Sequence, residues 1–329
     1  MVHSPLGLCT FFIETISTNR KIHLTAAGRQ TFLSFRRRWR AVPSLPYPSV
    51  HLRIRQGFCT GSVSCRWKTE AVAWWDGCDI LGGRDCVAGG TWLACSRSGR
   101  VASLTNVLEL HSLPEAKSRG ELPVLFLESS KGPKEFAETL VKEAHQYNGF
   151  NLILADIPSN TMVYISNRPK GEAIDIQEVK PGIHVLSNAK LDSPWPKVTI
   201  YRTILSSLKN RTVFIFCPSI QAQRLKLNFE DQLDKYGAGE IPVKKMIKKL
   251  MGDTVKAEKS RLPGICSRDW EYSLSSIFVQ VDTPLGCYGT RSTIGLAVRA
   301  NGEVSFYETY LEDGEWKERT VNYRISKTY

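Results

Sequence analysis

Apolar and polar residues alternate with a period of two on both sides of a tight turn between Gly89 and Val107. Thr91, Leu93 and Cys95 alternate with Trp92, Ala94 and Ser96, the spacing of a pleated strand. After Arg97-Ser98-Gly99-Arg100, Val101, Ser103 and Thr105 alternate with Ala102, Leu104 and Asn106. Gly99 supplies a residue free to take positive φ, so the stretch predicts a hairpin. Gly89-Gly90, just before it, suits a bulge or a close backbone approach.

The same pattern extends along the chain. Val72–Trp75 predicts a short strand ending at Asp76-Gly77, a turn signal. Residues 79–85 read as a glycine-bearing turn and 111–119 as a loop. From Pro133 the period changes to 3.6: Phe136, Ala137, Leu140, Val141 and Ala144 share one helical face, with proline at the first helical position. His145 lies near the end of that helix, where the dipole favours a surface histidine. Phe150–Ala155, Thr161–Ser166, Ile174–Val179 and Gly182–Leu186 predict strands. Residues 222–236 and 241–251 predict two more helices, the first with Leu225, Phe229, Leu233 and Tyr236 on one face. The second puts Val243, Met246, Ile247, Leu250 and Met251 inward and four lysines outward. Ser275–Asp282, Ser292–Ala300, Val304–Tyr310 and Trp316–Ile325 complete an antiparallel series, with Asn301-Gly302 as a hairpin turn. Strands, then helices, then strands again predict α+β layers.

Charge divides the chain. Of the formal +12, +10 sits in residues 1–68, which hold eleven Lys/Arg against the single acid Glu14. The remaining residues are nearly neutral and carry no nucleic-acid footprint. The leader contains Arg36-Arg37-Arg38-Trp39-Arg40 and is rich in Ser and Thr. That composition matches an organelle transit peptide, addressed to a mitochondrion or plastid, or a disordered arm with no address. Pro43, Pro46 and Pro48 mark a linker, and composition shifts again near Thr69. Residues 1–68 are therefore expected to be a disordered basic leader and 69–329 the folded domain. No apolar run reaches the roughly 18 residues of a transmembrane helix. The nine cysteines show no metal-ligand spacing, so no metal site is expected.

A series of motifs then gives the chain a relationship. In order they are Trp74-Trp75, Gly83-Arg-Asp85, Gly89-Gly-Thr-Trp-Leu93, Ala102-Ser-Leu-Thr-Asn106 and Arg119-Gly-Glu-Leu122. Tyr147-Asn-Gly-Phe-Asn-Leu152, Ser166-Asn-Arg168, His184-Val-Leu-Ser-Asn-Ala189, Ser193-Pro-Trp195 and Tyr288-Gly-Thr-Arg-Ser-Thr293 follow. Together they resemble the transport and Golgi organisation family, also called the NRDE-signature family, in its plant-type form. The match covers roughly residues 69–197 and 222–329. The resemblance implies an αββα sandwich of two antiparallel sheets like that of N-terminal-nucleophile hydrolases, here with its first strand missing or altered. It further implies a role in Golgi organisation and protein secretion, links to haem trafficking and mitochondria, and no defined reaction.

Two departures bear on chemistry. Members begin Met-Cys and reach an Asn-Arg-Asp-Glu signature before the Trp-Trp strand. Here Val2 stands second and the signature is absent. An N-terminal-nucleophile enzyme attacks with the side chain of its first residue and needs donors to hold the oxyanion. By resemblance Asn106, Asn188 and Arg291 occupy positions of such donors, and all three follow strand-like runs that would bring them to one sheet edge. Asn106 and Asn188 could equally cap turns, and Arg291 could form a structural ion pair. Cys9 is the best substitute nucleophile, since Thr10-Phe-Phe-Ile13 after it could be a strand. Cys59 and Cys65 lie in Gly/Ser-rich surroundings unsuited to one. The second departure is an insertion, Val198–Gln221. It reads as an extra hairpin, or as translated intron sequence, since Val codons begin GT and Gln can be CAG.

The expected function is thus a non-enzymatic role in Golgi organisation and secretion, with no catalytic residues, no cofactor, and haem as a cargo by resemblance only. Asn106, Asn188 and Arg291 are expected to line a pocket. Partners would be secretory-pathway or membrane-associated proteins and a small-molecule ligand, not nucleic acid. The place of action would be the cytoplasm and Golgi apparatus. The alternative is an amidohydrolase acting through a processed cysteine.

Overall fold

The computed structural model describes residues 11–17, 49–60, 69–107, 113–186, 190–192, 220–236, 242–262, 267–283 and 286–326. One sheet, sheet II, is a meander of seven antiparallel strands in chain order. Its members are β3 (Thr69–Trp74), β4 (Leu81–Asp85), β5 (Leu93–Cys95), β6 (Arg100–Asn106), β7 (Phe150–Asp156), β8 (Thr161–Ser166) and β9 (Ile176–Glu178). Tight turns join most of them, which is why sequential strands end up as neighbours.

Sheet I draws on distant parts of the chain. Its path runs β10 (Ile183–Leu186), β1 (Phe11–Ser17), β2 (Ser49–Thr60), β12 (Gly286–Val298), β13 (Glu303–Glu312) and β14 (Glu315–Arg324). Strand β11 (Gln280–Thr283) pairs with the start of β12.

Alternation along the strands sorts side chains into layers. In β5 and β6, Leu93, Cys95 and Val101 enter the core between the two sheets, while Ala94, Ala102 and Leu104 turn to the other face. That outer face is covered by α1 (Glu121–Glu128) and α2 (Pro133–Val141) through Leu122, Phe126, Ala137 and Leu140. The outer face of sheet I packs Ala297 and Tyr307 against α3 (Ile220–Tyr236) and α4 (Val243–Met251) through Leu225, Phe229, Ile247 and Leu250. The layers are therefore α, β, β, α, the expected sandwich. A short helix, α5 (Arg268–Ser273), precedes β11.

Several elements differ from the sequence reading. The basic leader was expected to stay outside the fold, yet two of its segments are strands. Strand β1 lies between β10 and β2, and β2 pairs with β12 from Thr60 opposite Tyr288 to His51 opposite Val298. The alternating Leu52-Arg53-Ile54-Arg55 run is strand-like in itself, and the leader's overall charge hid it. Cys59, in surroundings read as unsuited to a first strand, lies in β2 and pairs with Gly289. The rest of the leader, including Val2, Cys9 and Cys65, lies outside the described residues, as does the insertion apart from Ile220 and Gln221, which open α3.

The glycine-bearing turn at 79–85 is mostly strand β4. A Cβ on Gly82 would come within 2.8 Å of both the Ala94 Cβ and the Leu93 carbonyl oxygen, so the glycine lets β4 and β5 close up. Helix α1 had no sequence assignment. Its apolar run is broken by Pro123, which the first helical turn tolerates because N–H groups there have no intrahelical acceptor. Gly90 makes the expected close approach: its backbone faces Gly120, whose carbonyl carbon would lie 2.4 Å from an added Cβ.

Candidate functional site

The interior between the sheets changes character along its length. At one end the inward positions are Val101, Ala155 and Met162 on sheet II and Leu296, Val298, Val304 and Phe306 on sheet I. Two pairs step further along, alternation turns Thr105, Asn151 and Ser166 inward on sheet II, with Ser292 and Glu308 on sheet I. All of these but Ser292 are buried. Contacts across the gap fix the alignment. The Tyr323 hydroxyl donates to Cys95 Sγ at 3.2 Å and to the Ser96 carbonyl at 2.9 Å at the apolar end. Toward the polar end, Glu308 reaches across to Val72.

Buried polar groups require partners, and most here find them in one another. Asn151 Nδ2 donates to Thr105 Oγ1 at 3.1 Å, and the Tyr164 hydroxyl donates to Asn151 Oδ1 at 2.7 Å. Burial pushes the Tyr164 phenol up to about 12, opposed by hydrogen bonds from Ser166 and the Leu191 backbone. The Tyr164 side chain is therefore a neutral donor at any physiological pH. Ser103 Oγ, one inward position from Thr105, has no partner among the described residues.

On the opposite sheet Glu308 is 3% exposed. One carboxylate oxygen accepts the Ser292 hydroxyl at 2.5 Å, and the other accepts the Val72 N–H at 2.6 Å. Val72 can point its N–H away from its own sheet because β3 and β4 slip register between Glu70 and Ala73, the usual effect of a bulge.

The expected site residues fall as follows. Asn106 is the last residue of β6, opposite Phe150, at the polar end. Alternation places it with Ala102 and Leu104 on the helix side, so its neighbour Thr105 faces the interior. Arg291 sits at the register shift of β12 between Thr290 and Ser292 and donates to the Leu311 carbonyl at 3.5 Å. Its position is at the same polar end, since Ser292 pairs with Tyr310 while Val298 pairs with Val304. Asn188 lies outside the described residues; β10 ends at Leu186, also at this end, through Leu186 opposite Phe11. Asn106 and Arg291 thus belong to two sheets at one end of the sandwich, rather than to one sheet edge as expected.

Sequence reasoning passed over Asn151, Tyr164 and Glu308. Their signal was present: Asn151 falls in the mostly apolar Phe150–Asp156 run, and Glu308 continues the alternation of Val304 and Phe306. A polar residue at a buried position has to be satisfied by a partner.

At the edge of sheet I, His184 bonds on both ring nitrogens. Nδ1 lies 2.5 Å from Asp192 Oδ2 and Nε2 lies 2.7 Å from the Lys180 carbonyl oxygen. The other Asp192 oxygen accepts the Val185 N–H at 2.9 Å. The hydrogen bond to Asp192 raises the His184 pKa, against the effect of burial. Burial works against the Asp192 carboxylate, yet the bonds from His184 and the Val185 N–H hold it below its usual range. Among the described residues no group of three or more His, Cys, Asp and Glu could hold a metal ion, and no helix is long and apolar enough to cross a membrane.

With the sandwich and its polar end defined, comparison supplies the class. The profile of the Transport and Golgi organisation 2 family matches residues 65–313. The chain belongs to that family. It is 29% identical over 265 residues to the Transport and Golgi organization 2 homolog of Mus musculus, covering 77% of this chain and 85% of that protein. It is 28% identical over 261 residues to the Transport and Golgi organization protein 2 homolog of Bos taurus, with the same coverage. Among solved structures, a mutant conjugated bile acid hydrolase from Clostridium perfringens aligns with a TM-score of 0.41 at 9% identity, covering 85% of this chain and 94% of that one. An N-acylethanolamine-hydrolyzing acid amidase ortholog from Caenorhabditis elegans aligns with a TM-score of 0.42 at 10% identity, covering 88% of this chain and 92% of that one.

Proposed function

We propose that this chain serves Golgi organisation and protein secretion by holding a ligand at the polar end of its sandwich, without carrying out a reaction on it. The observation that carries this reading is the change of the inter-sheet layer from apolar to polar at the end where Asn106 and Arg291 stand. An apolar interior closed by a few convergent polar groups suits a small molecule with an apolar body and a polar head. Family membership supplies the cellular setting, and Val2 in place of the family's cysteine supports a binding role. Asn106, Asn188 and Arg291 are proposed to line the entrance. Haem as cargo, secretory-pathway proteins as partners, and action in the cytoplasm, Golgi apparatus or an organelle addressed by the leader belong to the same proposal, on family resemblance and leader composition.

The test is rescue of secretion in cells lacking the endogenous relative, read with a secreted reporter. The wild-type chain and Cys9→Ala are expected to rescue equally, while Arg291→Ala with Thr105→Val loses rescue at equal abundance. Loss of rescue with Cys9→Ala alone would overturn the reading.

One observation favours the amidohydrolase alternative. Strand β1 begins at Phe11, two residues after Cys9, and lies inside sheet I between two strands. A cysteine heading an internal strand is where a processed nucleophile would act. Sequencing the mature amino terminus decides this: a chain beginning at Cys9 supports the enzyme.

A further inference from the structure

His184 faces two acceptors. The Lys180 carbonyl can only accept, so the 2.7 Å contact requires a proton on Nε2. If the ring were neutral, Nδ1 would then turn a lone pair toward the Asp192 carboxylate at 2.5 Å. Both contacts are satisfied together only when the pair holds one further proton, which makes the ring an imidazolium donating twice. Among the described residues the charged groups acting on the ring are Asp192 and Lys226, Lys226 from the α3 helix packed over β10. Lys226 opposes the proton and Asp192 retains it.

What the proton holds continues inward. Asp192 takes a left-handed backbone conformation, φ +50°. It is tied twice to Val185: its carboxylate accepts the Val185 N–H at 2.9 Å, and its own N–H donates to the Val185 carbonyl at 2.9 Å. The preceding residue, Leu191, is 8% exposed and packs in the inter-sheet core. It belongs to the same core cluster as Tyr164, whose hydroxyl donates to Asn151, which donates to Thr105. One chain of contacts therefore runs from a half-buried histidine at the sheet edge to the buried polar end.

We infer that His184 and Asp192 form a proton-operated clasp that seats Leu191 against Tyr164 and so sets the shape of the polar end of the sandwich. Below the titration of the ring the clasp is closed. Above it the ring can serve only one of its two acceptors, Asp192 loses its tie to the ring and keeps only those to Val185, and Leu191 is held less firmly. Any consequence for ligand affinity rests on the polar end being the binding site; the clasp itself does not.

The experiment is amide hydrogen exchange by NMR on the full chain between pH 5.5 and 8.5, corrected for intrinsic rates, read at Val185 and Asp192. Protection is expected to fall about tenfold from the low to the high pH, the size of effect that loss of one charge-assisted hydrogen bond brings. The Leu104 amide, bonded to the Trp92 carbonyl, serves as reference and is expected to stay level. In His184→Gln, which lacks a titrating ring, the two amides should show the same protection at both pH values. Protection in the wild type that is level across the range, or a fall in His184→Gln equal to that in the wild type, would overturn the clasp. Because no ligand and no secretion readout enter, failure here is separate from failure of the proposed function.

Discussion

The Glu308 carboxylate of sheet I accepts the backbone N–H of Val72 in sheet II at 2.6 Å, across the middle of the sandwich. This bond lies where the interior turns polar. Replacing Glu308 by Ala leaves the Val72 N–H and the Ser292 hydroxyl without this acceptor inside the core. A buried donor stripped of its partner costs about 1–3 kcal/mol, and a cavity adds to that. Glu308→Ala is expected to lower stability by about 3 kcal/mol in urea denaturation. A midpoint equal to wild type would show that the two sheets do not depend on this bond.

Gly90 allows the segment before β5 to lie against Gly120. Thr91 donates its N–H to the Gly120 carbonyl at 2.9 Å, and a Cβ on Gly90 would fall 2.4 Å from the Gly120 carbonyl carbon. Both sides of this contact are backbone, so neither can rotate away. Gly90→Ala should cost about 3 kcal/mol, at the upper end of overpacking effects, whereas Gly132→Ala, with nothing within 4 Å, should be nearly neutral. Thermal melts of the two variants side by side check the contrast.

The pairing of His184 with Asp192 predicts how stability varies with pH. The folded His184 pKa lies above its ordinary 6.5, so its contribution is complete below about that pH and is lost as pH rises through the folded value. The folded Asp192 pKa lies below its ordinary 3.8, so its contribution is present above that value and is lost as pH falls through the folded one. The pair is thus worth most between about pH 4 and 6.5. Asp192→Asn keeps an acceptor for Val185 and removes the charge. The gap between wild type and this variant should peak in that window at roughly 1 kcal/mol, since both groups are partly solvated, and should narrow toward pH 9. A gap that does not vary with pH would contradict it.

Strand β2 occupies the centre of sheet I, with β1 on one side and β12 on the other. A chain lacking residues 1–60 would leave β12 without the partner that pairs it from Tyr288 to Val298, a long exposed edge of the kind that recruits other chains. The truncated chain is expected to aggregate on expression. A soluble monomer with wild-type melting would show that the leader contributes nothing to the sheet.

The sequence by itself determined most of the local elements. The period of two in Thr91–Asn106 and the 3.6 period in 133–141 and 243–251 record which face each element buries, and burial is what selects those residues. Turn chemistry at Asp76-Gly77, Arg97–Arg100 and Asn301-Gly302 did the same for several hairpins. The family followed from ordered motifs. What only the tertiary structure decided are relations between distant residues. Nothing local in Leu52–Arg55 says that it pairs with Gly295 and its neighbours, because a strand's partner is set by the whole sheet. Helix α1 was hidden by Pro123, whose cost in a first turn depends on where the helix starts. Whether Thr105 or its neighbour Asn106 faces the interior is settled by the pleat, which turns Thr105 inward. The roles of Asn151 and Glu308 emerge only once the sheets are stacked. Tyr164 and Ser292 sit on neighbouring strands, but Thr105 and Val72 come from segments 46 and 236 residues away, and only packing brings those within the roughly 3 Å a hydrogen bond requires.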